Sequence, residues 1–132
     1  MIDKATCEKR YKHIEHFESL LTDNNTVILK CYLHISKDEQ KKRLQARLDD
    51  PSKHWKLQAS DFADRKLWPD FMKAYEDAIA ATSTKQAPWY VVPADSKPHR
   101  DLFIANLLVQ TLARLDLPLP KPTFSIDKVK LD

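Results

Sequence analysis

Apolar residues recur along this chain in two rhythms. Between Tyr11 and Leu21, the positions Ile14, Phe17, Leu20 and Leu21 fall on one face of a helix. The Thr22-Asp23-Asn24-Asn25 cluster then ends the pattern with turn-forming side chains. Thr26 to Ile35, TVILKCYLHI, crowds β-branched and large apolar residues together and predicts a strand. Helical spacing returns after Ser36-Lys37-Asp38-Glu39, a capping-box sequence, and predicts a helix to about Leu48, where Asp49-Asp50-Pro51 stops it. A polar loop follows to about Ala59.

Ser60-Asp61 can cap a further helix reaching about Thr82, with Trp68, Phe71, Met72, Tyr75 and Ile79 along one stripe. Pro69 falls inside that stripe and is expected to kink the helix or divide it in two. Trp89 to Pro93 is a short apolar strand. Ser96 or Lys97 opens a last helix, with Pro98 suited to its first turn, that runs to about Leu115. It is almost continuously apolar from Leu102 to Leu112, so it is expected to be well buried. The stretch 120–132 is punctuated by proline and predicts an extended tail.

The order helix, strand, helix, helix, strand, helix describes a helix-rich α/β chain with one domain over residues 1–119. A strand, helices and a second strand at this spacing imply a parallel pair with a right-handed crossover. Parallel sheets normally have several strands and two covered faces. The pattern therefore predicts the remnant of a larger sheet, with an open edge that another copy pairs, a swapped element fills or the chain's own helices bury; a homo-oligomer is expected.

Composition narrows the class. The chain has 132 residues, 42% of them apolar and 31% charged, as in ordinary soluble domains. Its apolar runs are too short and too charged for a membrane helix, and its charged beginning lacks a signal-peptide core, so the cytoplasm is the expected location. Cys7 and Cys31 form no metal-ligand or CxxC spacing. The net charge of +3 is unevenly spread: residues 41–56 hold six cations against two carboxylates, and the rest of the chain is slightly acidic. That is a local anion site rather than a basic surface, which argues against nucleic acid.

Arg43 and Arg47 are four apart and share a helix face, a pair suited to phosphate oxygens. Charge alone favours the plainer alternative, a solvated face. Lys53 and Lys56 bracket His54-Trp55 and could close over a charged substrate or simply face water. Asp49 and Asp50 fit a turn better than a metal or acid–base pair. His13, His16 and His34 gather no metal-ligand set, the aromatic stripe reads as core or a subunit contact, and no nucleophile–base pair stands out, so no catalytic residue is assigned.

Long ordered strings carry a family resemblance. RYKHIEHFESLLTDNNTVILKCYLHISKDEQKKRLQARLDDPSKHWKL, LWPDFMKAYEDAIAATST and APWYVVPADSKPHR together resemble the C-terminal half of the family-2 polyphosphate kinases over about Arg10 to Leu119. The resemblance implies a partial P-loop kinase fold. It also implies transfer of phosphate between inorganic polyphosphate and a nucleoside mono- or diphosphate such as AMP or ADP, with Mg²⁺ in the intact enzyme. By the same resemblance, 40–68 is a lid in which Arg43, Arg47, Lys53, Lys56 and Arg65 meet phosphate, while Lys97 and Arg100 lie near the nucleotide.

One departure outweighs the matches. The chain contains no glycine, where average usage would supply about nine. A glycine-rich phosphate loop cannot be built from it. Asn25 stands at a turn where relatives commonly carry glycine, and asparagine tolerates the left-handed backbone needed there. The expectation is the lid and C-terminal half of a polyphosphate:nucleotide phosphotransferase, a fragment or split-enzyme piece that is inactive and Mg²⁺-free alone. The alternative is a non-catalytic polyanion-binding or assembly module derived from the same family.

Overall fold

The computed structural model describes residues 2–124, 126 and 129. The chain divides into two compact units, Met1–Arg100 and Asp101–Asp132. Its elements are α1 (Lys4–Asp23), β1 (Lys30–His34), α2 (Lys37–Leu48), a 3₁₀ turn (Pro51–Lys56), α3 (Ala59–Asp64), a second 3₁₀ turn (Arg65–Leu67), α4 (Trp68–Thr82), β2 (Trp89–Pro93) and α5 (Lys97–Leu115). The extended tail expected over 120–132 falls largely outside the described residues.

α1 begins a full turn and more before the apolar pattern does, because Asp3 caps it. One carboxylate oxygen accepts the Thr6 N–H at 2.8 Å and the other the Thr6 hydroxyl at 2.7 Å. Its far end closes without glycine. Asn25 takes φ 62°, the Thr26 N–H returns to the Leu21 carbonyl and the Asn25 N–H to that of Thr22, both at 3.0 Å. This is the double hydrogen bond that normally ends a helix at glycine. Asp116, just past α5, makes the same left-handed excursion with φ 43°.

β1 and β2 pair in parallel, in register from Lys30↔Trp89 to His34↔Pro93. The strand expected over Thr26–Ile35 is thus cut to five residues. Hydrogen bonding to a neighbour defines a strand, and β2 offers only five residues to pair. The helix expected over Ser60–Thr82 is likewise three pieces. Ser60 is no cap; Asp61 reaches back to accept the Gln58 N–H at 3.0 Å. Pro69 starts α4 rather than kinking it, since a first-turn residue has no intrahelical N–H bond to lose.

At the amino ends of the strands a buried polar network joins four elements. Lys30 Nζ lies 2.7 Å from Glu18 Oε2 of α1, with the two side chains only 9% and 10% exposed. The ammonium also donates to the Thr82 carbonyl at the end of α4 (2.7 Å) and sits 5.3 Å from the centre of the Trp89 ring. Trp89 Nε1 donates to the Thr82 hydroxyl at 2.9 Å. A buried ion pair is tolerable when its remaining donors are met in this way.

The apolar core is small. Leu44, Ala87, Val92, Ala94 and Leu107 are buried. Phe17 and Leu20 of α1 and Val91 of β2 are exposed. So are Leu102, Phe103, Leu108, Val109 and Leu112, which corrects the expectation of a well-buried last helix. A helix apolar around most of its circumference needs cover on several sides to be buried.

Candidate functional site

A cleft of about 450 Å³ opens beside the carboxyl end of β1, where parallel α/β sheets bind ligands. Tyr32, Leu33 and Ile35 form its floor, Arg43 and Arg47 of α2 one wall, Asp61 and Asp64 of α3 another, and Trp68 to Tyr75 of α4 the rest. Tyr32 and Tyr75 pack with ring centres 4.7 Å apart. Desolvation, with Tyr75 nearby, raises the Tyr32 pKa, so its hydroxyl is a neutral donor or acceptor at physiological pH.

α2 is aimed at the cleft by its first turn. The Ser36 hydroxyl accepts the Glu39 N–H at 3.0 Å, as expected of an N-cap. The reciprocal half of the capping box does not form, because the Ser36 N–H donates to Asp95 Oδ1 at 2.7 Å. The bonds from the Ser36 backbone and then its side chain, with the charges of Arg43 and His34 nearby, lower the Asp95 pKa from its ordinary value of 3.8. Glu39 is left to pair with Arg43 at 2.8 Å. Sequence reasoning missed Asp95 and the pairing of Glu39; an acid just past a strand end was the one available signal.

The cations differ in their partners. Arg43 Nη2 donates to the carbonyls of Ala94 (2.7 Å) and Asp95 (3.1 Å), in addition to Nε on Glu39. Arg65 Nη1 donates to the Lys37 carbonyl (2.7 Å) and Gln40 Oε1 (2.8 Å). Arg47 lines the cleft, half-buried, its side chain making no hydrogen bond or ion pair to any described residue. Lys53 pairs with Asp50 at 2.6 Å, and Lys56 lies 5.0 Å from the centre of the Trp55 ring, which is 78% exposed. Lys97 opens α5 and is exposed; Arg100 is half-buried, its N–H donating to the Ser96 carbonyl at 3.0 Å. The structure thus gathers Arg43 and Arg47 at the cleft, with Arg65 at the root of α2 and the two lysines on the turn beyond it.

Among the described residues no three His, Cys, Asp or Glu side chains converge as metal ligands. What the arrangement offers is positive charge from Arg43 and Arg47 beside an aromatic cleft, in a chain with no glycine loop.

A family profile described as Polyphosphate kinase 2 (PPK2) matches residues 1–118. The chain belongs to the polyphosphate kinase 2 family. It is 46% identical over 132 residues to the AMP/ADP-polyphosphate phosphotransferase of Meiothermus ruber, covering all of this chain and 49% of that protein. The ADP-polyphosphate phosphotransferase of Rhodopseudomonas palustris is 42% identical over 120 residues, 91% of this chain and 42% of its own length. The chain therefore spans about half the length of these curated PPK2-type relatives. An uncharacterised Leptolyngbya boryana protein from the chlN 3′ region is instead of similar size, 45% identical with 86% of this chain and 83% of that one covered. Among solved structures, polyphosphate kinase 2 of Arthrobacter aurescens TC1 superimposes with a TM-score of 0.91 at 51% identity, over 96% of this chain and 44% of that one. The α/β unit described above is part of a P-loop kinase fold.

Proposed function

We propose that this chain is the lid and C-terminal half of a polyphosphate:nucleotide phosphotransferase and is inactive until the glycine-rich half is supplied. The observation that carries this reading is an arginine-walled cleft at a strand end in a PPK2 chain without a single glycine. Arg43, Arg47, Lys53, Lys56 and Arg65 lie within the lid and are the candidate phosphate-binding cations; Lys97 and Arg100 are the candidates nearest the nucleotide. Such cations stabilise charge that develops on a transferring phosphoryl group. Phosphoryl transfer also needs the phosphates held in line and Mg²⁺ bound between them, and no glycine loop in this chain can do so. The substrates of the completed enzyme are polyphosphate and AMP or ADP, and its setting is the cytoplasm; no helix of the described residues is long and apolar enough to cross a membrane.

The test is phosphotransfer by the purified 132-residue chain with polyphosphate, Mg²⁺ and AMP or ADP. Background turnover alone, and turnover after co-expression with the glycine-rich half of a full-length relative, are the expected results. Robust turnover by the chain alone overturns the proposal.

The short Leptolyngbya relative favours a second reading, in which chains of this length act as polyanion-binding or assembly modules without catalysis. It predicts salt-sensitive polyphosphate binding and no gain of activity on co-expression. In both readings the free edges of the two-stranded sheet are paired, by the completing half or by another copy of this chain.

A further inference from the structure

Three arginines border the lid, and their hydrogen bonds divide them into two kinds. Arg43 commits its fork to Glu39 and to the carbonyls of Ala94 and Asp95. Arg65 commits its own to the Lys37 carbonyl and Gln40. Asp95 in turn holds the Ser36 N–H. The root of α2 is thereby tied on one side to the segment after β2 and on the other to the 3₁₀ turn at the far end of the lid. Arg47, one helical turn beyond Arg43, has no such commitment to any described residue and faces the cleft.

We infer that Arg43 and Arg65 are positioning residues that fix the base of the lid, and that Arg47 is the arginine that meets the phosphate chain. The inference rests on the reading that this lid serves polyphosphate. For Arg43 to turn to a phosphate it would strip a carboxylate and two carbonyls of their donor, one of them from Ala94, a buried residue. Arg47 gives up no protein partner when phosphate arrives. The division also explains the rigid-base, exposed-tip form of the segment: both roots carry arginine forks, whereas the Pro51–Lys56 turn is exposed throughout.

Removing the cation at Arg47 and only the fork at Arg43 separates the two roles, because lysine keeps the charge but cannot reproduce a planar fork. Polyphosphate binding to the 132-residue chain is measured at low salt, with far-UV circular dichroism and thermal unfolding as folding controls. Arg47→Ala is expected to weaken binding by about tenfold or more with Ser36 exchange unchanged, because it removes the cation that meets phosphate and leaves the ties at the base of the lid intact. Arg43→Lys is expected to weaken binding by about tenfold or more, because the fork is lost. Asp95→Ala gives the sharper outcome. Removing a carboxylate near a polyanion site should strengthen binding on charge alone, whereas loss of the tie to Ser36 should weaken it. Amide exchange at Ser36, followed without ligand, should accelerate in Arg43→Lys and in Asp95→Ala. Near-wild-type binding by Arg47→Ala or Arg43→Lys, stronger binding by Asp95→Ala, or unchanged Ser36 exchange in Arg43→Lys and Asp95→Ala overturns the inference and leaves the proposed function standing. A wild-type chain that does not bind polyphosphate at low salt overturns this inference and the polyanion-module reading, while turnover on co-expression still decides the phosphotransferase one.

Discussion

Arg43 and Arg47 carry the same charge four residues apart, yet one is bound to three protein groups and the other to none among the described residues. Periodicity put them on one helix face but said nothing of what stands opposite. The carboxylates behave similarly. The Asp50 pKa is lowered to about 2, first by its hydrogen bond from Lys53 and then by that from Ser52. Its folded pKa lies below the ordinary 3.8, so its contribution to stability is complete above that value and is lost as pH falls towards 2. A carbon-detected NMR titration of the Asp50 carboxyl should show a midpoint near 2, and Lys53→Ala should move it back towards 3.8. A buried pair has larger consequences. Glu18→Ala leaves Lys30 buried without its carboxylate, and urea denaturation should show a loss of about 3 kcal/mol. The double replacement Glu18→Leu/Lys30→Met should recover much of that loss, because no unpaired charge remains.

At the scale of elements, the turn after α1 shows how a chain without glycine ends its helices. Asn25 occupies the left-handed position, where asparagine is tolerated and a β-carbon otherwise costs about 1–2 kcal/mol. Asn25→Gly should be neutral within a few tenths of a kcal/mol, and Asn25→Ala should lower stability by about 1 kcal/mol, both read from the urea midpoint. Equal midpoints for the alanine and glycine variants would contradict this account. Element types and most boundaries were legible because caps, prolines and apolar spacing are local: α2, β2 and α5 lie where the pattern put them. The break between α3 and α4 was legible too, at Pro69. Two things were not legible: β1 is short because β2 is short, and the expected capping box at Ser36 is half replaced by Asp95, 59 residues away in sequence.

At the scale of the whole molecule, a two-stranded parallel sheet and a handful of buried apolar side chains make a thin core. Exposed apolar residues on α1, β2 and α5 should bind a hydrophobic dye such as ANS strongly in the isolated chain. Co-expression with the glycine-rich half of a full-length relative should yield a complex on size exclusion and reduce dye binding several-fold. Unchanged dye binding within such a complex would show that these faces serve another purpose.

The sequence by itself determined the element order, the parallel α/β class, the left-handed turn at Asn25 and the absence of a glycine loop. All follow from local sterics, side-chain spacing or composition, and the strings that carry the PPK2 resemblance are legible there too. Only the tertiary structure decided which arginine keeps its donors available and which is spent on the base of the lid. It alone brought Glu18, Lys30, Thr82 and Trp89 into one network. Hydrogen-bond partners far apart in sequence meet through the fold, and neither charge nor periodicity encodes that meeting.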